Sequence, residues 1–496
     1  MTAVLILWAA VLWPIATPVP NQSHELVLID NISIVDVDQG EVIEGSSILI
    51  REGQIVTLGA KPTGSEFVVD GSGRYAIPGM FDMHTHSLKL SPVLFHPLYV
   101  ASGVTAVRDM GGCIDGDDSW VACAQEKREW TRKVEEGTHI GPRYDQVTSL
   151  AINGGSEIPS GLAPALGAGT SEGARLRVVH DQKRGIDFLK TYNNIPRDAY
   201  FALANAVKQT NLYLAGHIPT SVTAIEAANA GQRSFEHGMV LILDCYPDID
   251  EIRNADDFFQ AYTDEARMRM VTEHDAARCS RIHNAMRRNQ VALVPTHTTR
   301  KLDAYAANES YRSDSRLRYI PDLLRRMWLG DADSMAKRGS AESYQAIYEL
   351  GIAQTGVAHR AGVTVLAGTD SPDSFAFPGL SLADELNHLV AAGLSPLDAL
   401  RSATREPAKF LGLEGKAGVI RSGARADIVL LNSNPLSEID AVRDVHTVVL
   451  AGVVYDREDL KELRSTVEKN ASHLSLSPKL VWQLLRSPIM RRQFAD

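Results

Sequence analysis

Hydrophobic spacing changes character twice along the chain, and each change marks a different kind of structure. From Leu26 to Ile77 the apolar residues form short alternating or β-branched runs, LVLIDNISIVD, SSILIREGQIVTLG and EFVVDGSGRYAIPG, parted by Gly, Asp and Asn turns. From Pro78 onward, short continuous apolar runs (TAVRDMG, VALVPTHT, GVTVLAGTDS) alternate with Ala-rich amphipathic stretches such as TAIEAANAGQRS and SLADELNHLVAAG. That alternation predicts parallel strands, each followed by a helix. Near Gly415 the β pattern returns in KAGVIRSGARADIVLLNSNP and TVVLAGVVYD. The predicted fold is α/β: a (β/α)8 TIM-like barrel over 78–410, with a small β-sandwich domain formed by both flanks, 24–77 and 411–456. A barrel of roughly 330 residues is within the range of that fold.

The two ends fall outside this scheme. Residues 1–20, MTAVLILWAAVLWPIATPVP, are apolar and uncharged, and Pro14, Pro18 and Pro20 close the run. They read as a signal peptide over 1–23, processed between Ala16 and Ser23, so that the mature chain is secreted or periplasmic and keeps no membrane span. An uncleaved anchor is one alternative, and a start codon set too early, leaving a cytoplasmic protein, is another. Neither Lys nor Arg precedes the apolar run, and no small-x-small cleavage site follows it. Residues 457–496 are charged, with apolar positions at Leu476, Leu480, Val481, Leu484 and Leu485. They predict one or two amphipathic helices packed on the body or on a neighbouring subunit.

Composition narrows the classes. A chain of 496 residues is roughly twice the length at which one hydrophobic core stops growing. With 44% hydrophobic and 22% charged residues it is globular rather than disordered. A net charge of −11 excludes a protein that coats nucleic acid, whose affinity would rest on clustered Lys and Arg. Four cysteines are too few for a small disulfide scaffold. Cys113 and Cys123 flank the acidic excursion CIDGDDSWVAC, where they form either a disulfide in an oxidising compartment or two free thiols. Cys245 and Cys279 lack a metal-type CxxC spacing and read as ordinary core or surface residues.

The chemistry begins at PGMFDMHTH, residues 78–86. His84 and His86 lie two apart on a strand, so both imidazoles point to one face and can grip one metal ion at the strand's end. Later strand-like runs also finish on reactive side chains: Lys190 in GIDFLKTY, His217 in LYLAGHIP, His237 in RSFEHG and Asp370 in GVTVLAGTDSP. Each has an ordinary reading on its own: a solvated lysine, structural histidines, an N-capping aspartate. Together they are six metal-binding or basic residues at the C-terminal ends of successive strands, the face on which barrel active sites are built. Imidazole and carboxylate suit zinc or a similar divalent ion.

With these motifs in place the chain resembles the metal-dependent amidohydrolase superfamily, through PGMFDMHTH, FLKTY, AGHIP, FEHG, AGTDSP and the closing ARADIVLLNSNP, over residues 26–455. SGVTAVRDMGG, GPR at 141–143 and LSLADELNHLVAAGLSPLDALRSATREPAKFLGL resemble its imidazolonepropionase-like and Xaa-Pro-dipeptidase-like branch. The GGC…VAC insertion and NGG at 153–155 are similar to ochratoxin-hydrolysing amidohydrolases.

The resemblance implies a ligand set and a mechanism. His84, His86 and Asp370 would hold one divalent metal, His217 and His237 a second, both expected to be zinc. Lys190, carboxylated on its side-chain nitrogen, would bridge them, since a bare ammonium cannot ligate a cation. A hydroxide shared by two metals would attack an amide, with Asp370 as general base and then general acid and Tyr192 as hydrogen-bond donor to the oxyanion. The implied substrates are dipeptides or N-acyl amino acids cleaved in carboxypeptidase or prolidase fashion, including ochratoxin-type amides. Cyclic-amide hydrolysis or deamination on the same scaffold is the alternative, and a non-catalytic binding protein a third. His297 ends the seventh strand and is either a candidate substrate contact or a residue that supports the site from behind or from a loop. Arg300 and Lys301 are candidates for a substrate carboxylate, whereas Arg108 and Asp109 read as barrel braces. The loop NGGSEIPSGLAP departs from the family's His-containing Gly-rich segment. A small-molecule or peptide amide partner and a homo-oligomeric state complete these expectations.

Overall fold

The computed structural model describes residues 14–60, 63–64, 67–113, 116–154, 167–253, 255 and 258–493. Most of the expected signal peptide, residues 1–13, lies outside the described residues, as do 155–166 with Gly155 of the NGG motif.

The alternating runs at the front of the chain form strands β1 (Leu26–Asp36), β2 (Glu41–Arg51), β3 (Gln54–Leu58), β4 (Phe67–Asp70) and β5 (Tyr75–Pro78). β1 pairs antiparallel with β2, Ile29 opposite Ile48, and parallel with both β4 and β5. Val27, Ile29, Ile32 and Ile34 of β1 are buried, while Asn31 faces solvent at a bulge in the register.

The continuous apolar runs become parallel strands: β6 (Met80–Thr85), β7 (Val104–Asp109), β8 (Arg143–Val147), β9 (Phe188–Thr191), β10 (Tyr213–Gly216), β11 (Gln232–Glu236) and β12 (Ala292–Val294). Every residue of β6, β7, β9, β10 and β12 is buried, as expected of parallel strands covered on both faces. They form one sheet in the order β6-β7-β8 and another in the order β12-β11-β10-β9. Ile152, just past β8, joins the two by a parallel bridge to Thr191. On the other side residues 363–371 run between β12 and β6, with bridges from Val365 to Leu293 and from Ser371 to Thr85. The segment GVTVLAGTDS, expected as a strand, thus makes single bridges rather than a ladder. A side chain at Gly368 would stand 2.6 Å from Val294 and 2.9 Å from His84, and Asp370 has φ of 63°, so the backbone leaves the extended path there.

The amphipathic stretches are helices with readable ends. Thr223 caps the helix Ala224–Ala230 in a reciprocal pair with Glu226, and Gly231 ends it at φ of 98°. Leu382, Leu386 and Leu389 form the buried stripe of the helix Ser381–Ala391.

The returning β pattern forms β13 (Ile428–Leu431), β14 (Val445–Leu450) and β15 (Val453–Tyr455). β13 pairs with β5, Val429 opposite Ile77, so both flanks share one eight-stranded sheet, β15-β14-β13-β5-β1-β2-β3, with β4 beside β1. The C-terminal residues form helices Arg457–Ala471, Leu476–Arg486 and Pro488–Gln493. They pack on the body: Asn470 donates to the carbonyls of Ala16 and Val93, and Ser487 donates to Asp118 of the acidic excursion. Among the described residues no helix is long and apolar enough to cross a membrane.

Cys113 and Cys123 are joined in a disulfide, one of the two expected states. Cys245 and Cys279 correct the sequence reading: they too are joined, 34 residues apart, with a Cα–Cα distance of 4.9 Å. Cys245 ends the helix Met239–Cys245 and Cys279 lies near the start of the helix Ala276–Arg288. The Asp275 N–H donates to the Cys245 carbonyl and draws the two ends together.

Candidate metal centre

Strand pleating sets the first half of the site. His84 and His86 leave the end of β6 on the same side, and Asp370 meets both, its Oδ1 3.1 Å from His84 Nε2 and 3.0 Å from His86 Nε2. Lys190, on β9, brings its Nζ to 3.4 Å from His84 Nε2 and 3.2 Å from His86 Nε2. Burial pulls the Lys190 ammonium below its ordinary value, against the opposing pull of Asp370 and Glu236. The His86 side chain is 35% exposed whereas that of His84 is 0%, so the cluster opens to solvent on the His86 side.

His217 and His237 stand one residue past the ends of β10 and β11 and form the second half. Their Nε2 atoms face each other at 2.9 Å. His217 Nδ1 donates to Asn193 Oδ1 at 2.7 Å, and His237 Nδ1 pairs with Thr296 Oγ1 at 2.7 Å. With both Nδ1 atoms engaged, both Nε2 atoms point at one small volume. Asp370 links the halves, its Oδ2 3.8 Å from His237 Nδ1. Burial holds both imidazoles well below their ordinary pKa, helped at His217 by Lys190 and at His237 by His217. They are neutral, the form that ligates a metal.

Beneath these side chains lies a buried ionic layer. Arg108 donates to Glu236 at 2.8 and 2.9 Å, to Ser234 at 2.9 Å and to the Met83 carbonyl at 2.8 Å. Glu236 in turn accepts from His84 Nδ1 at 2.9 Å. Burial disfavours the Glu236 charge, but Arg108 and His84 overcome it and hold its pKa at about 2. Asp82 accepts from Thr369 Oγ1 at 2.6 Å, tying β6 to the turn that carries Asp370. His237, Thr296 and Asp370 adopt φ of 69°, 47° and 63° at this face. Such left-handed backbone costs on the order of 1–3 kcal/mol per residue and gathers at functional sites.

All six expected donors are therefore brought together. Tyr192 is beside them, its ring centroid 4.2 Å from that of His217. His297 takes the supporting place, one of its two expected roles. It is 2% exposed, starts the helix His297–Tyr305, and pairs its Nε2 with Thr355 at 3.0 Å, because its backbone N–H is anchored on Glu385. The ring braces two helices and makes no hydrogen bond to the cluster. Arg300 has Asp303 as its ion-pair partner, and Asp373, Asp370 and Tyr192 also act on its charge, whereas Lys301 lies over the Tyr305 ring. The sequence reading missed Glu236, Asn193 and Thr296. Glu236 is adjacent to His237 in FEHG, but nothing local shows that it reaches β6.

The donor chemistry fits divalent metal. His84, His86 and Asp370 place their ligating atoms within 4.8 Å of one another. Three of the four histidines give their second ring nitrogen to a carboxylate, amide or hydroxyl, the arrangement that fixes the tautomer of a metal-ligating imidazole. The facing Nε2 atoms of His217 and His237, 2.9 Å apart, are the two further imidazole nitrogens turned toward the cluster.

Comparison with known proteins bears on this cluster. The amidohydrolase family matches residues 192–455, more than half of the chain. The 5-methylthioadenosine/S-adenosylhomocysteine deaminase of Thermodesulfovibrio yellowstonii is 28% identical over 240 residues, 42% of this chain and 54% of that protein. The ochratoxinase of Aspergillus niger is 34% identical over 91 residues, 18% of each chain. The chain thus spans about half or less of the curated relatives it matches. A Xaa-Pro dipeptidase crystallised with methionine in its active site superposes with a TM-score of 0.59 at 21% identity, over 87% of this chain and 100% of that one. Such neighbours share a TIM-barrel-like α/β fold with this mixed α/β chain. With the family matched over residues 192–455, this chain belongs to the amidohydrolase family.

Proposed function

We propose that this chain is a binuclear metal-dependent amidohydrolase that cleaves the amide bond of dipeptides or N-acyl amino acids. The observation that carries the reading is the convergence of His84, His86, Lys190, His217, His237 and Asp370 in one cluster at strand ends. His84, His86 and Asp370 would hold one ion, His217 and His237 the other, and a carboxylated Lys190 would bridge them. Burial lowers the Lys190 pKa, which favours the neutral amine that carboxylation requires. When bound, the two ions, zinc by donor type, lower the pKa of water and polarise the scissile carbonyl.

The protein's own groups do the rest. Asp370 takes a proton from the attacking water and returns it to the departing amine. Tyr192, at the rim beside His217, donates a hydrogen bond to the oxygen that gains charge. Arg300, on whose charge Asp303, Asp373, Asp370 and Tyr192 act, would attract a substrate carboxylate. The fold belongs to the same proposal: β6–β12 with residues 363–371 as a (β/α)8 barrel, and the eight-stranded sheet of the flanks as the sandwich domain. The two disulfides suit export to an oxidising compartment.

Deamination is the second reading, favoured by the 28% identity to a deaminase over 240 residues. Lys190 weighs against it, because a mononuclear site needs no bridging ligand. A metal-quantified screen separates the two. Activity on dipeptides or N-acyl amino acids of one C-terminal class supports the proposal. Activity confined to purine derivatives, with one ion per chain, replaces it.

A further inference from the structure

The described residues contain a second group of metal-type donors, apart from the six just discussed. Cys245 closes the helix Met239–Cys245, Cys279 stands in the first turns of the helix Ala276–Arg288, and His274 lies in the connection before that second helix. His274 Nε2 is 3.0 Å from Cys279 Sγ, and the ligating atoms of Cys245, His274 and Cys279 all fall within 4.8 Å of one another. Two sulfurs and an imidazole are a soft donor set suited to zinc. The backbone already holds the three together, through Asp275 N–H to the Cys245 carbonyl at 3.1 Å and Arg278 Nε to the Asp244 carbonyl at 2.6 Å.

His283 lies four residues after Cys279, one turn along the same helix face. It is 1% exposed, yet neither ring nitrogen has a hydrogen-bond partner among the described residues. Buried polar atoms are rarely left so, because each costs the free energy of desolvation.

We propose that Cys245, His274 and Cys279, with His283 as fourth donor, form a redox-gated site for zinc or a similar thiophilic divalent cation. As the disulfide, the two sulfurs are bonded to each other and offer no thiolate. A dithiol reductant supplies two electrons and two protons: its own sulfurs become a disulfide while the Cys245–Cys279 bond breaks to two thiols. The cation then binds the thiolates and the imidazoles, releasing both thiol protons to solvent. The disulfide form of the same reagent reverses the exchange and expels the ion. None of these residues belongs to the catalytic cluster, so the inference stands or falls separately from the hydrolase reading.

The test uses the full chain, reduced with dithiothreitol and freed of reagent under anaerobic conditions, with its four thiols counted by titration. Cobalt(II) is then added and the thiolate-to-cobalt charge-transfer band recorded. The band is expected in the reduced protein and in C113S/C123S, and absent from the oxidised protein and from C245S. H274A and H283A should bind about tenfold or more weakly. Absence of the band in the fully reduced protein, its persistence in C245S, unchanged affinity in H274A, or loss of far-ultraviolet circular dichroism on reduction would each overturn the proposal.

Discussion

Glu236 turns back across the strand ends to His84, its Oε2 2.9 Å from the imidazole Nδ1. The same carboxylate holds the buried Arg108 guanidinium, so one side chain both orients a donor and neutralises a buried cation. Glu236→Gln should weaken metal binding about 10- to 100-fold, read by competition with a chelator, because the histidine loses its carboxylate acceptor. It should also lower Tm, since a buried charge that loses its partner costs about 3–5 kcal/mol. Wild-type metal affinity in this variant would remove Glu236 from the account.

Among the described residues Asp370 is the carboxylate that touches both His84 and His86 and approaches His237. Asp370→Asn should reduce kcat by about 10²–10⁴. Asparagine tolerates the left-handed backbone at this position, so circular dichroism and Tm should change little. A variant that stays folded with kcat near wild type would rule out Asp370 as the proton carrier.

Tyr192→Phe removes a hydroxyl and leaves the ring against His217. Loss of an oxyanion donor predicts a fall in kcat of about 10²–10³ with metal content unchanged. A fall in bound metal instead would assign the tyrosine to holding the site together.

Stability should fall on mild acidification through the hydrogen-bonded pair His96 and His139. His96 is 0% exposed, its Nδ1 2.8 Å from His139 Nε2 and its Nε2 2.8 Å from the Tyr144 hydroxyl. Burial first, then His139, holds its pKa well below the ordinary value, and burial and Lys133 lower His139 to about 4. In the unfolded chain both rings take up a proton near pH 6.5, so the unfolded state binds more protons below that point. The stabilisation is complete above about pH 6.5 and is lost as pH falls, by up to about 1.4 kcal/mol per pH unit for His96. Unfolding midpoints of His96→Gln should depend less on pH below 6.5 than those of wild type; parallel curves would refute the assignment.

Much of the site could be read directly, because period-two alternation places His84 and His86 on one face and because strands covered on both sides announce themselves as apolar runs ending at Lys190, His217 and His237. What stayed hidden depends on contacts between distant segments. Glu236 points away from its neighbour His237 toward another strand, and Asn193 and Thr296 act only through the rings they orient. The Cys245–Cys279 bond needs two helix ends to meet. His297 ends the seventh apolar run as expected, yet the Glu385 carboxylate, 88 residues further on, turns it into a helix start. Around Asp370 the chain leaves the strand pattern at a φ of 63°, and Gly368 leaves no room for a side chain beside His84 and Val294.

The central claim is that Lys190 bridges two ions at an amide-cleaving centre. Metal analysis of wild type and Lys190→Ala, each assayed on the preferred dipeptide or N-acyl amino acid, tests it most directly. The account predicts two ions per chain in wild type and at most one in the variant, with activity lost by about 10² or more. A Lys190→Ala protein that keeps two ions and full activity would contradict it.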